Sequence, residues 1–103
     1  MITAVTTFRL PRPISEEQAR AIFLATAPRY RAIEGLIRKC YILSEDGSTA
    51  GGVYLWRSRR DAEATYTPEW RAFVREKYGC EPQVSYFVTP VVVDNATGEI
   101  IGE

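Results

Sequence analysis

Strand-helix-strand occurring twice, the βαββαβ order of an α+β, ferredoxin-like split βαβ domain, is the architecture this 103-residue sequence predicts. Three observations carry it. Runs rich in β-branched residues alternate with capped helical stretches in the order strand, helix, strand, strand, helix, strand. A turn-forming cluster, Glu45-Asp46-Gly47-Ser48, joins the two middle strands as a hairpin. Ala27-Pro28-Arg29-Tyr30-Arg31-Ala32 is echoed by Thr67-Pro68-Glu69-Trp70-Arg71-Ala72, so that x-Pro-x-aromatic-Arg-Ala falls in both crossover helices as a pseudo-two-fold repeat requires.

The elements follow in order. Ile2 to Phe8 is a β-branched run closed by Leu10-Pro11-Arg12-Pro13, whose prolines cannot continue a ladder. Ser15 stands three residues before Gln18, a capping-box spacing, and Ala19, Ile22, Phe23 and Ala27 then mark one face of a helix over about 15–32. Thr26 is the polar interruption of that stripe, and Pro28 interrupts or kinks the helix. After Gly35, Leu36 to Leu43 is the second strand and Gly51 to Trp56 the third, with Gly51-Gly52 marking close backbone approach or a bulge. Ser58 and Asp61 cap a short helix through Ala62 and Ala64 to Tyr66. Thr67-Pro68 then starts another, carrying Trp70, Phe73, Val74, Lys77 and Tyr78 to Gly79. Gln83 to Val93 reads as one long strand, and Asp94 to Glu103 as a tail or arm.

Both faces of this sheet are apolar. Val84, Tyr86, Val88 and Val92 oppose Phe87, Val91 and Val93, and Cys40 and Ile42 oppose Ile37, Tyr41 and Leu43. A chain this short has no third layer to cover the second face, so a second copy packed sheet to sheet, a homodimer, is the expected partner. Charge and composition narrow the remainder. Thirteen Lys+Arg balance thirteen Asp+Glu, which leaves no basic surplus for nucleic acid. Histidine is absent, which removes the Ser-His-Asp and Cys-His nucleophile arrangements and the commonest metal ligand. Cys40 and Cys80 read as reduced thiols. With no basic leader and no apolar run near ~18 residues, a cytoplasmic protein without a membrane partner is expected.

The hairpin holds the most suggestive chemistry. With a loop symmetric about Gly47-Ser48, Tyr41 lies opposite Tyr54 and Lys39 opposite Trp56, one cation and three aromatics on one face. A one-residue slip disperses the group. Two readings stand side by side: a slot for a flat aromatic ligand whose oxygens Lys39 and the tyrosine hydroxyls orient, or cross-strand pairs that hold the sheet. Trp70 with Phe73, and Tyr30 in the echo, divide in the same way between pocket and core. The remaining arginines are interleaved with acids and read as a solvated surface.

Gly35-Leu36 with Lys39 and Tyr41, then Ala50-Gly51-Gly52-Val53-Tyr54-Leu55-Trp56, Ala62-Glu63-Ala64, Pro68-Glu69-Trp70-Arg71 and Phe87 with Pro90-Val91-Val92-Val93-Asp94-Asn95 resemble the YdhR-type monooxygenases. These are small members of the dimeric α/β-barrel superfamily, alongside the antibiotic-biosynthesis monooxygenases. The Gly-Gly-Val-Tyr-Leu-Trp segment is the most specific part of a similarity that runs from the first strand to Asn95. It implies one ferredoxin-like domain over 1–95 with a tail at 96–103, helices on one face of a four-stranded antiparallel sheet, a dimeric α/β barrel, and a ligand cavity between sheet and helices. It further implies a cofactor-independent monooxygenase, in which a small phenol- or quinol-like aromatic is deprotonated and meets dioxygen without flavin, haem or metal. Carried onto this sequence, the catalytic candidates are Lys39 and Tyr41, either of which could stabilise a phenolate, and the ligand-binding candidates are Tyr54, Trp56, Trp70 and Phe73. Haem-degrading relatives ligate iron with a histidine, which this chain lacks. A non-catalytic small-molecule-binding or stress-associated dimer using the same cavity is the alternative, and a structural domain with a filled interior the third.

Overall fold

In a computed structural model that describes residues 1–103, two strand-helix-strand units share one antiparallel sheet. The chain runs β1 (Ile2–Arg9), α1 (Glu16–Tyr30), β2 (Leu36–Leu43), β3 (Thr49–Trp56), α2 (Arg59–Thr65), α3 (Pro68–Tyr78) and β4 (Pro82–Val88), and a small hairpin, β5 (Val91–Asp94) with β6 (Glu99–Gly102), follows. Sheet order is β2-β3-β1-β4, the split βαβ arrangement. Local chemistry sets the helix ends. Ser15 and Gln18 form a reciprocal capping box at α1, Ser58 accepts from the Asp61 amide at α2, and Thr67 caps α3 with Pro68 in its first turn. Gly79 ends α3 in the left-handed conformation that an L side chain adopts only with strain. No helix is long and apolar enough to cross a membrane.

The core lies between the sheet and the helices. Ala4, Thr6 and Phe8 of β1 and Ala50, Tyr54 and Trp56 of β3 face Tyr30, Ala62, Tyr66, Trp70 and Val74 of the helical layer. Small residues are paired with large ones across the sheet, Ala4 opposite Tyr54 and Ala50 opposite Phe8, so the aromatic rings have room to lie over the backbone. On α1 the buried stripe is Ala19, Thr26 and Tyr30 with Phe23 partly covered. Thr26 is therefore part of the packed face and not an interruption of it, its hydroxyl being satisfied by the Phe23 carbonyl at 3.1 Å and by Tyr41 at 2.7 Å. The helix ends at Tyr30, two residues short of the expected end, and Pro28 sits in its last turn.

Two expectations need correction. The β2–β3 hairpin pairs Lys39 with Tyr54 and Tyr41 with Gly52, a slip of two residues from symmetry about Gly47-Ser48. Asp46 is the cause: its carboxylate accepts from the Ser44 and Ser48 hydroxyls and the Ser48 amide, centring the turn on Asp46-Gly47. Because the slip is even, every side chain keeps its face. The ladder runs unbroken through Gly51 and Gly52, so the glycines mark close approach, and the irregularity falls between Leu36 and Arg38. The last strand stops at Val88 and does not reach Val93, since Pro90 has no N–H to extend the ladder.

Beyond that break β5 and β6 make an arm that turns back over the sheet's uncovered face, and Asp94 reaches Arg38 on β2 at the opposite edge. Thr3, Cys40, Val53 and Leu55 line the hollow beneath it together with Val91 and Val92. The expected domain limit at residue 95 falls in the arm's own turn. Even so, Phe87, Val91, Val93 and Ile100 remain exposed.

Candidate functional site

Lys39 enters the helix side of the sheet from β2, an edge strand, where the pleat directs it toward α1. Its stem passes over Gly52, where a Cβ would stand 3.1 Å from Lys39 Cε and 2.9 Å from the Tyr54 ring, so glycine there makes the room. The amine ends among three aromatic faces, 3.4 Å from the centroid of Tyr30, 3.7 Å from Tyr41 and 4.6 Å from Tyr54. No carboxylate lies within ion-pair distance of it. Two influences oppose one another at this nitrogen. Ring quadrupoles favour the ammonium by about 0.5 to 2 kcal/mol, whereas loss of water disfavours it and Arg29 repels it. Desolvation first, and Arg29 second, bring the Lys39 pKa from 10.5 down to about 7.

The amine borders a groove between α1 and β2. One hollow, of about 440 Å³, is walled by Leu24, Pro28, Tyr30 and Leu36 and carries Arg31, Arg38 and Lys39 with no acidic residue. An adjoining hollow of about 560 Å³ continues toward the β2–β3 turn past Phe23, Leu43 and Asp46. Tyr41 stands between the two, stacked on Phe23 at 4.7 Å and bonded through its hydroxyl to Thr26. Burial raises the Tyr41 pKa, so its phenol stays protonated at neutral pH, and because the Thr26 hydroxyl donates to the Phe23 carbonyl, the Tyr41 proton is donated to Thr26. The chain contains no cluster of His, Cys, Asp or Glu that could hold a metal ion.

Of the six residues singled out from sequence, Lys39 and Tyr41 meet at this groove, and Tyr54, almost wholly buried, is the third wall around the amine. The others lie elsewhere. Trp56 is sealed in the core, its indole N–H donating to the Tyr66 hydroxyl at 3.0 Å, and Trp70 donates likewise to Tyr30 at 3.0 Å. Phe73 is half-buried against the core, and the Arg29 guanidinium lies over its ring, 3.9 Å from the centroid. None of the three lines the groove. The space expected between sheet and helices is filled by these rings, with Tyr54 and Trp56 nearly parallel at 6.0 Å and Tyr66 against Trp70 at 4.8 Å. Leu24, Thr26, Arg31 and Leu36 were missed as groove or supporting residues. Tyr30 carried the one available signal, the repeat that pairs it with Trp70, and the two rings do bond across the pseudo-dyad.

Comparison with known families settles the kinship. The model of the family described as "Putative mono-oxygenase ydhR" matches residues 5–80, most of the chain and all of the groove. The chain belongs to this family. Among solved structures, this ydhR-family chain is similar to Rv0793 from Mycobacterium tuberculosis, with 25% identity, 86% of this chain and 95% of that one covered, and a TM-score of 0.61. It is also similar to the monooxygenase of the ActVA-Orf6 gene of Streptomyces coelicolor, solved with the ligand nanaomycin D, at 21% identity, with 85% and 86% covered and a TM-score of 0.62. SnoaB, a cofactor-independent oxygenase from Streptomyces nogalater, aligns at 14% identity over 85% of this chain and 91% of its own, with a TM-score of 0.61. Likeness at the latter two levels of identity shows the shared ferredoxin-like fold. Among curated proteins, none matches.

Proposed function

We propose that this ydhR-family protein is a monooxygenase that takes a small phenol- or quinol-like aromatic into the α1–β2 groove, with Lys39 accepting the phenolic proton and Tyr41 orienting the ring oxygen. The observation that carries the reading is an amine with a pKa of about 7, walled by three tyrosine rings, at the edge of an apolar groove. About half of it is neutral at pH 7, which suits a general base, and once protonated it holds the phenolate by charge in a poorly hydrated setting. Electron release from the phenolate ring to dioxygen then leads to a hydroperoxide at a ring carbon, and loss of water gives a quinone. One oxygen atom enters the ring, and the ring and phenolic hydrogens leave with the other. SnoaB is described as a cofactor-independent oxygenase, which supports this class of chemistry on the same fold.

Oxygen consumption with a panel of hydroquinones and naphthols, without added cofactor, tests it. Uptake by the wild-type protein should fall about 10²- to 10⁴-fold in Lys39→Met. Saturable binding under nitrogen with no uptake in air would instead favour a small-molecule-binding protein, the reading supported by the filled interior and the open shape of the groove. We infer in addition a homodimer through the sheet's second face, on the strength of the apolar surface at Phe87, Val91, Val93 and Ile100.

A further inference from the structure

The chain carries eleven arginines and two lysines, Lys39 and Lys77. Lys77 is exposed in the last turn of α3, where a cation suits the helix dipole. Nearly every other cation is arginine, which cannot lose its proton in a protein, yet at the most enclosed cationic position of the groove the residue is lysine. A guanidinium would serve as well if a fixed charge were all that position required. The amine has no hydrogen-bond or ion-pair partner, lies over three ring faces, and borders a hollow that Leu24, Pro28 and Leu36 also line with apolar surface. Arg31 and Arg38 line the same hollow, and Arg29 nearby repels a charge on the amine.

We propose that Lys39 is also a nucleophile, condensing with an aromatic aldehyde seated in the groove to form an imine. The nitrogen lone pair adds to the carbonyl carbon to give a carbinolamine. One N–H proton passes to the carbinolamine oxygen, the C–O bond breaks as solvent at the open side protonates the departing hydroxyl to water, and the second N–H proton returns to solvent, leaving a C=N bond to Nζ. No oxidant or reductant is consumed, and hydrolysis reverses the step. Desolvated lysines beside a second cation are the environment in which such amines act. The inference rests on the groove of the proposed function but not on its oxygen chemistry.

Trapping decides it. The intact protein is incubated under nitrogen at pH 7 with 4-hydroxybenzaldehyde and cyanoborohydride, and reduced adducts are assigned by peptide mass mapping. Lys39 should be labelled about tenfold or more faster than Lys77, since a one-unit drop in pKa alone raises the neutral fraction about tenfold. Labelling at Lys39 should saturate with aldehyde and slow when hydroquinone is added. Equal or slower labelling of Lys39 than of Lys77 overturns the proposal, as does a rate that neither saturates nor yields to hydroquinone. Lys39→Arg should erase the adduct with its circular dichroism unchanged, and if that variant fails to fold, the wild-type ratio of the two lysines still decides. Fast labelling with no oxygen uptake supports this inference and removes the monooxygenase reading. Uptake with Lys39 unlabelled does the reverse.

Discussion

At the scale of single residues, Lys39 determines how the site responds to pH. The charged groups around it are Arg29 from α1, Arg31 just past that helix's end and Arg38 from its own strand, with the rings of Tyr30, Tyr41 and Tyr54 as walls. With Lys39 as base, kcat/KM should rise tenfold per unit below about pH 7 and level off above it, measured on any substrate that supports oxygen uptake. A flat profile over that range would remove Lys39 from the proton transfer. The same shift bears on folding. An unfolded lysine keeps its proton to pH 10.5 while the folded one releases it at about 7, so the unfolded state binds more protons between those values and stability rises with pH across that window. Lys39→Met should therefore raise the melting temperature most at pH 7 and below, with the gain shrinking toward pH 10.5. A gain independent of pH would mean that burial of the charge is not what it relieves.

At the scale of elements, what was legible in the sequence was what neighbouring residues decide. The caps at Ser15, Ser58 and Thr67, the proline start of α3 and its glycine stop are contacts made within one helical turn. Hairpin register depended instead on which loop residue would bind the others, and Asp46 with Ser44 and Ser48 moved it by two. Lys39, Tyr41 and Tyr54 still met because an even slip preserves the face. Thr26 was misread because polarity says nothing about a partner supplied by another strand, here the Tyr41 hydroxyl. Trp70 shows the limit from the other side: helical spacing suits core and pocket alike, and only packing separates them. Trp70→Phe should cost about 1 to 3 kcal/mol in chemical denaturation, because the Tyr30 hydroxyl is left without its donor, while the affinity of groove ligands stays within twofold. A large loss of affinity at unchanged stability would place Trp70 at the ligand after all.

At the scale of the whole molecule, the sheet's uncovered face sets the oligomeric prediction. The two-sided apolar pattern was readable from alternation alone and an arm was one reading of Asp94 to Glu103, but its start at Val91 and its path across that face were not, since nothing short of Pro90 announces that β4 will end and the chain turn back. Light scattering should give twice the 11.7 kDa chain mass. Phe87→Asp, on that face, should give the single-chain mass with the circular dichroism of the helices unchanged. A wild-type monomer at micromolar concentration would leave the arm as the face's own cover. The sealed aromatic interior has an optical consequence. Both indoles are shielded from water and bonded to phenol hydroxyls, so their emission should be blue-shifted and little touched by acrylamide. A ligand in the groove meets tyrosine rings first, so its arrival should be recorded in the near-ultraviolet dichroism of Tyr30 and Tyr41, and in indole emission only through energy transfer to a ligand that absorbs where the indoles emit.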